Sequence, residues 1–181
     1  MNHHHPNTAL ALLFALAITF TAGVAAAEEG SDSSSSSSDL SLAVTIGESA
    51  YFIDGSAYRG PVTLEAVPSI GWSMLEVDLG LCATLESIKV AGTNIGDWNF
   101  TFRPGVRVAP PILPLYLRAA IPLQIYENDF DWGFMFGVGA QLPVLPMLAL
   151  VLEVDTALTK NLEWGGKGVP LEFRAGASIS F

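Results

Sequence analysis

From residue 40 to the end of the chain, apolar side chains recur at every second position. Between residues 171 and 181, for example, Leu, Phe, Ala, Ala, Ile and Phe take the odd positions, while Glu, Arg, Gly and two Ser take the even ones. Successive side chains of a β-strand point to opposite faces, so each such segment predicts a strand with one apolar and one polar face. The pattern occurs in eight segments: 40–46, 62–72, 75–85, 100–108, 115–125, 132–142, 148–158 and 171–181.

Most of these segments approach the length that a tilted strand needs to cross a lipid bilayer, about 9–11 residues. An even number of strands lets an up-and-down sheet close on itself. The predicted fold class is therefore all-β: a closed antiparallel up-and-down transmembrane β-barrel of eight strands. The apolar face is built largely from Leu, Val, Ile and Phe, as a lipid-facing surface requires.

The polar face combines small residues with charges of both signs, which suits a narrow lumen. A charge held away from water needs an oppositely charged partner, or its pKa shifts until the group is neutral. In the hairpin of the third and fourth strands the acids fall level with the arginines, and in the last hairpin Glu153 and Asp155 fall level with Arg174. The predicted lumen charge network comprises Glu76, Asp78, Arg103, Arg107, Arg118, Glu153, Asp155, Glu172 and Arg174. It either fills the interior as a plug or acts as a gate for small ions.

Two other folds compete with this barrel. The run 132–152 is uncharged and long enough for a membrane helix, but it contains three Gly and two Pro and repeats with period two. The second alternative is a soluble secreted or periplasmic barrel that binds an apolar ligand, with its apolar face inward and its charges outward. The small and oppositely charged residues of the polar face favour the membrane barrel, and release by osmotic shock would favour the soluble one.

The connections between the segments predict a single orientation. They are short and mostly Pro-rich at 71–74, 110–114 and 143–147, and longer and polar at 49–60, 86–97, 127–131 and 160–168. Short periplasmic turns and longer outer loops are usual in outer-membrane barrels. Aromatic rings favour the boundary between hydrocarbon and headgroups. Candidates for two such girdles are Phe100, Phe102, Trp132, Phe134 and Phe173 on the loop side, and Trp72 and Phe181 on the turn side.

The N-terminus predicts export. Residues 9–27 are apolar and uncharged, end in Ala25-Ala26-Ala27 and are followed by Glu28-Glu29-Gly30, which is the order of a secretory signal peptide. An uncleaved anchor is the alternative, since the region before the apolar core lacks Lys and Arg. We predict a signal peptide at 1–27, a Ser-rich disordered linker at 28–39 and the barrel at 40–181.

Composition excludes several function classes. A formal net charge of −10 argues against nucleic-acid binding. One Cys excludes an intramolecular disulfide, and all three His lie at positions 3–5, so the mature chain lacks the usual base for a Ser nucleophile and the commonest zinc ligand. The carboxylate pairs could serve a glycosidase, but countercharge for the lumen arginines is the simpler interpretation. We predict no catalytic, cofactor-binding or metal-binding residues.

The segment from Leu40 onward resembles the small eight-stranded outer-membrane barrels, the group that includes the OmpA transmembrane domain, OmpX and OmpW. The last strand, ending in Phe181, resembles the terminal signal that the barrel-assembly machinery recognises in that group. The resemblance implies insertion into the bacterial outer membrane by that machinery. We predict a non-enzymatic protein that is monomeric by default. Its partners would be the lipid bilayer, lipopolysaccharide and the assembly machinery, and its role structural, surface-interacting or a narrow passage.

Overall fold

The computed structural model describes residues 39–53, 55–90, 93–95, 100–110, 113–125, 130–159 and 169–181. The predicted signal peptide lies outside these residues, as do the predicted linker except Asp39 and the predicted loop at 160–168. Within the described ranges, no helix is long and apolar enough to cross a membrane.

The described part of the chain is built from antiparallel strands. They are β1 (Asp39–Ile53), β2 (Ser56–Trp72), β3 (Leu75–Thr84), β4 (Ile88–Val90), β5 (Thr93–Ile95), β6 (Phe100–Val108), β7 (Leu115–Ala120), β8 (Leu123–Ile125), β9 (Phe130–Leu145), β10 (Leu148–Thr159) and β11 (Val169–Ser180). The short strands β4 and β5 form a separate hairpin.

The other strands close into a ring. Each pairs with its neighbour along the chain, and β1 pairs with both β2 and β11, for example Val44 with Ala66 and with Ala177. Strands β7 and β8 share one position between β6 and β9. The ring therefore has eight positions and no free edge around its middle, which confirms the predicted closed up-and-down barrel.

Side chains alternate between the two faces of this wall. Leu152 is 51% exposed and Leu117 is 60% exposed, whereas Glu65 and Asp78 are fully buried. The large apolar residues therefore cover the outside, and the charged residues lie in the central space, which we call the bore. This is the reverse of a soluble barrel with an apolar interior.

The two ends of the barrel differ. At the turn end, β2 joins β3 through Ser73–Met74, and β9 joins β10 through Pro146–Met147. The barrel termini meet here, because the Phe181 N–H donates to the Leu40 carbonyl at 2.8 Å. The β6–β7 connection is also at the turn end, where the Ala109 N–H donates to the Met74 carbonyl at 2.8 Å. The opposite end, the loop end, carries the other connections, of which 126–129 and 160–168 lie outside the described residues.

The structure corrects three predicted boundaries. The predicted loop at 49–60 is mostly strand, because β1 and β2 continue past a register shift between Glu48 and Ala50 and pair up to Ile53 and Ser56. The predicted turn at 143–147 is shorter, since β9 runs to Leu145 and a second register shift takes up the irregularity. The predicted loop at 86–97 contains the β4–β5 hairpin.

The predicted strand 115–125 is interrupted at Ile121 and Pro122. Proline has no N–H to donate to a neighbouring strand, so the ladder breaks there. The wall stays closed, because Ile121 N–H donates to the Pro104 carbonyl at 2.9 Å and Gly133 N–H donates to the Pro122 carbonyl at 3.2 Å.

Candidate functional site in the barrel bore

The bore contains every charged residue that the sequence pattern assigned to it. They come from β3, β6, β7, β10 and β11, and strict alternation of the strands turns each one inward. Eight are largely or fully shielded from solvent, while Glu76, near the turn end, keeps 23% of its side-chain surface exposed. Their charges form a continuous set of ion pairs across the barrel.

Arg118 on β7 contacts carboxylates on three other strands. Its Nη1 donates to Glu153 Oε1 at 2.9 Å, its Nη2 donates to Glu65 Oε1 at 2.9 Å, and its Nε lies 3.1 Å from Asp78 Oδ2. These partners belong to β10, β2 and β3. One side chain thus joins four strands from different parts of the ring, which a planar guanidinium with five donors can do.

Arg174 on β11 extends the set toward the loop end. Its Nη1 contacts Glu65 Oε2 and lies 3.8 Å from Glu153 Oε1, while its Nη2 donates to Glu172 Oε2 at 2.6 Å. Its Nε lies 3.4 Å from Asp155 Oδ2. Arg174 therefore faces four carboxylates at once, all of them buried.

Arg103 on β6 closes the set from the opposite wall. Its Nη1 lies 3.2 Å from Glu172 Oε2 and 3.4 Å from Glu65 Oε2. Glu172 also accepts a 2.5 Å hydrogen bond from the Thr63 hydroxyl. Asp78, which the sequence pattern placed at a depth similar to Arg103, instead lies opposite Gly105, two residues away from the Gly80–Arg103 pair.

Arg107 on β6 connects the charged set to the turn end. Its Nη1 donates to Glu76 Oε2 at 2.9 Å, and its Nη2 lies 3.3 Å from Asp78 Oδ2. The guanidinium carbon also lies 4.5 Å from the centre of the Tyr116 ring, a cation–π distance. The Tyr116 hydroxyl in turn donates to Glu153 Oε2 at 2.6 Å.

Two glycines of β9 make room for these side chains. A Cβ on Gly137 would collide with Asp155 Oδ1, and a Cβ on Gly139 would collide with the Tyr116 ring. β9 contributes no charged side chain at these two positions. It contributes space, because only glycine allows the neighbouring side chains to lie flat against the strand backbone.

A small apolar layer lies next to the charges on the turn side. It consists of Ala43, Val67, Tyr116 and Val151, each at most 3% exposed, with Ala109 packed against it. The charged set and this apolar layer fill the middle of the bore. A solute crossing the barrel would have to separate several ion pairs and then pass packed apolar side chains.

Sequence reasoning missed two members of the site. Glu65, which contacts three of the four bore arginines, and Tyr116, which contacts Arg107 and Glu153, were absent from the predicted network. The alternation of inward and outward positions could have identified both residues. Glu65 shares its face of the strand with Thr63 and Ser69, and Tyr116 shares its face with Arg118.

A second ion cluster lies on the outside of the barrel near the loop end. Arg59 Nε contacts Glu48 Oε1 at 2.5 Å and Arg59 Nη2 contacts Glu86 Oε1 at 2.6 Å. Glu86 also accepts a 3.1 Å hydrogen bond from the Val62 N–H. Because Arg59 and Glu48 are more than half exposed, water screens this cluster strongly.

The described residues do not assemble a metal centre. No group of three or more His, Cys, Asp or Glu side chains among them is arranged to hold a metal ion. Cys82 is a free thiol buried in the wall of the bore. The acid pairs Glu76/Asp78 on β3 and Glu153/Asp155 on β10 both face arginines, as expected of carboxylates that balance the charge of the arginines.

No protein-family model matches the chain, and no curated protein matches it. Solved structures do. Ail, the attachment invasion locus protein of Yersinia pestis, aligns with a TM-score of 0.55 at 10% identity, covering 80% of this chain and 99% of Ail. Ail in complex with the heparin analogue sucrose octasulfate gives 0.53 at 11% identity over the same shares.

Neisserial surface protein A aligns similarly, with a TM-score of 0.55 at 12% identity, covering 78% of this chain and 97% of that protein. The fold is that of a small transmembrane β-barrel. At these identities the likeness concerns the fold alone, and it confirms the sequence-based resemblance to the small eight-stranded barrels.

Proposed function

We propose that this protein is a non-enzymatic integral protein of the bacterial outer membrane, with a sealed barrel that serves the envelope or holds surface loops in place. The observation that supports this proposal is the distribution of apolar and charged side chains between the outer and inner faces of the barrel wall. Large apolar residues such as Val138 and Phe173 are more than half exposed, whereas the four bore arginines and most of their carboxylate partners are buried inside. In water this arrangement would expose a continuous apolar surface, and in a bilayer it buries that surface in hydrocarbon.

The proposed partners follow from this placement. The outer face meets lipid, and the aromatic residues near the loop end meet the lipopolysaccharide headgroups. Phe181 is 55% exposed at the turn end, where the assembly machinery could contact it before the β1–β11 seam closes. With its edges paired around the ring, the barrel needs no second copy to complete it, so we propose a monomer.

The proposal that the protein is not an enzyme rests on the chemistry of the bore. No His occurs after residue 5, and the bore carboxylates face guanidinium groups rather than an open cleft. A general base needs a carboxylate that is free to take a proton from a substrate, and these carboxylates are instead paired with arginines. Lipid A from a deletion strain should therefore match that of the parent strain; a changed acylation pattern restored by the gene would contradict a purely non-enzymatic role.

Fractionation tests the membrane assignment. We expect the protein to be recovered with detergent-extracted outer membranes and to change its gel mobility on heating, as folded barrels do. Release by osmotic shock, together with a mobility that does not depend on heating, would support the soluble barrel instead.

Conductance tests the sealed bore. In planar bilayers we expect the native protein to show no discrete channel openings, because the ion pairs and the apolar layer fill the bore. Arg174→Ala removes the guanidinium that faces four carboxylates, and Arg59→Ala is the matched control on the outer surface. Openings of the native protein that Arg174→Ala alters and Arg59→Ala does not would replace the plug with a gated passage.

A further inference from the structure

The carboxyl groups of Glu153 and Asp155 lie side by side in the bore. The two residues are two positions apart on β10, so both side chains point inward, and both residues are at most 5% exposed. Their carboxyl groups are within hydrogen-bonding reach of each other. Two ionised carboxylates repel each other at such a distance, and a hydrogen bond between two carboxyl groups requires that one of them carries a proton.

Asp155 is the member of the pair with the least support as an anion. Neither of its oxygens accepts a hydrogen bond from an N–H or O–H group of the described residues. Its ion-pair partner is Arg174, whose Nε lies 3.4 Å from Oδ2. That guanidinium also contacts Glu65, Glu153 and Glu172, each of which faces a second arginine. Asp155 therefore shares one positive charge with three better-placed carboxylates.

Asp78 also accepts no hydrogen bond from the described residues, but its charge is better compensated. Its Oδ2 lies 3.1 Å from Arg118 Nε and 3.3 Å from Arg107 Nη2, so two guanidiniums face it. Its neighbour on the same face of β3 is Glu76, which pairs with Arg107 and keeps 23% of its side-chain surface exposed. Asp78 can therefore stay ionised where Asp155 cannot.

The charge of the whole described bore points the same way. Four guanidiniums face six carboxylates, an excess of two negative charges. Glu76 reaches solvent at the turn end, where water stabilises its charge. One proton on the Glu153/Asp155 pair balances the other excess charge without an added ion.

The surroundings of the pair offer no further cation for a second anion. On the adjacent strand β9, the residues opposite the pair are Gly139 and Gly137. The charged and titratable side chains around the pair are Tyr51 of β1, Glu65 of β2, Asp78 of β3, Arg103 and Arg107 of β6, Tyr116 and Arg118 of β7, and Glu172 and Arg174 of β11.

We propose that the folded bore holds one proton on the Glu153/Asp155 pair, carried by the Asp155 carboxyl and donated to Glu153, and that this proton is part of the plug. The Glu153 oxygens have lone pairs left for it after accepting from Tyr116 and Arg118. The proton replaces repulsion between two anions with a hydrogen bond. Its loss to water at higher pH restores the repulsion, so the plug is a pH-sensitive device that loosens as the pH rises.

The proton makes stability depend on pH with a defined sign. In the unfolded chain both carboxyls are ionised above about pH 5, because ordinary Asp and Glu carboxyls titrate near pH 4. The folded state then binds one proton more than the unfolded state, so stability is highest at the acid end of the range and falls as the pH rises. One extra proton corresponds to about a tenfold fall in the folding equilibrium constant per pH unit.

The range between about pH 5 and 8 is free of the usual interfering group. All three His lie at positions 3–5, so the barrel contains no side chain that ordinarily changes charge in this range. The other bore carboxylates are ionised in both states there and add no slope.

The test is urea unfolding of the protein refolded in nonionic detergent, at several pH values in this range and at constant ionic strength. We expect the native protein to show the one-proton slope. Asp155→Asn and Glu153→Gln each replace the proton with a neutral amide, so each should remove the slope whatever its effect on stability. Glu48→Gln, a matched change of an exposed carboxylate on the outer surface, should keep it.

Infrared spectroscopy of the native folded protein at neutral pH gives a second readout that needs no variant. The C=O stretch of a protonated carboxyl is separate from the amide and carboxylate bands, and we expect such a band to shift in D₂O and to disappear on heat unfolding. The absence of this band, or a native stability that does not change with pH, would overturn the proposal. So would a slope that persists in Asp155→Asn or Glu153→Gln, or one that Glu48→Gln abolishes.

Discussion

Glu65 is the residue whose removal should weaken the barrel most. Its carboxylate is fully buried and faces Arg103, Arg118 and Arg174. Glu65→Gln keeps the size of the side chain and one acceptor oxygen but removes the charge, so each of the three arginines loses one carboxylate partner. Removing one partner of a buried ion pair costs about 3–5 kcal/mol. Because the amide oxygen still accepts one hydrogen bond, we expect a loss near the lower end, about 3 kcal/mol.

The measurement is reversible urea unfolding of protein refolded into phospholipid vesicles, followed by the fluorescence of the four tryptophans. With a urea dependence of about 1–3 kcal/mol per M, the loss corresponds to a midpoint lower by about 1–3 M. Glu48→Gln is the matched control, since Glu48 also contacts an arginine but is 51% exposed. We expect its midpoint to stay close to that of the native protein.

Equal midpoints for the two variants would refute this reasoning. That result would mean that water or lipid headgroups reach Glu65, so that the bore is not dry and its ion pairs contribute no more than those on the surface. A large loss in Glu48→Gln alone would place the important ion pairs on the outside of the wall.

Three further changes test the wall itself. Gly139→Ala should lower stability by about 1–3 kcal/mol in the same urea assay, because its Cβ would collide with the Tyr116 ring. Val138→Arg, midway along the lipid face, should cost about 2–4 kcal/mol, and much more than Val138→Ala; equal losses would speak against contact with hydrocarbon. Cysteines at Val44 and Ala177, placed in a chain without its native thiol, should form a disulfide on oxidation, since these residues are partners across the first and last strands. Failure to crosslink in the folded protein would argue that the ring is open there.

The wall of the barrel was predictable because its two faces meet different environments. Lipid outside the barrel favours large apolar side chains, and the narrow bore favours small or charged ones, so the two kinds alternate along each strand. The alternation in 148–158 therefore predicts both that the segment is a strand and which of its faces meets lipid. A register shift between Glu48 and Ala50 interrupts the alternation near the loop end. The predicted loop at 49–60 therefore includes residues 50–53 and 56–59, although these residues pair as strands.

The bore was predictable in composition but not in its exact pairs. Parity alone turns Arg118 inward, but its length lets it reach Glu65, Asp78 and Glu153 on three other strands. Which carboxylate meets which guanidinium depends on the stagger of the strands and on the room left by glycines such as Gly137, and neither is visible in a single strand.

The most direct test of the account asks which side chains touch hydrocarbon. Methyl-labelled protein would be placed in lipid nanodiscs that contain a phospholipid with a nitroxide at the end of its acyl chain. We predict that the methyl signals of Val138 and Leu152, which lie on the outer face, broaden strongly, while those of Val67 and Val151 in the bore stay sharp. Broadening of Val67 and Val151 with sharp signals from Leu152 would contradict the placement of the apolar face, and with it the membrane assignment.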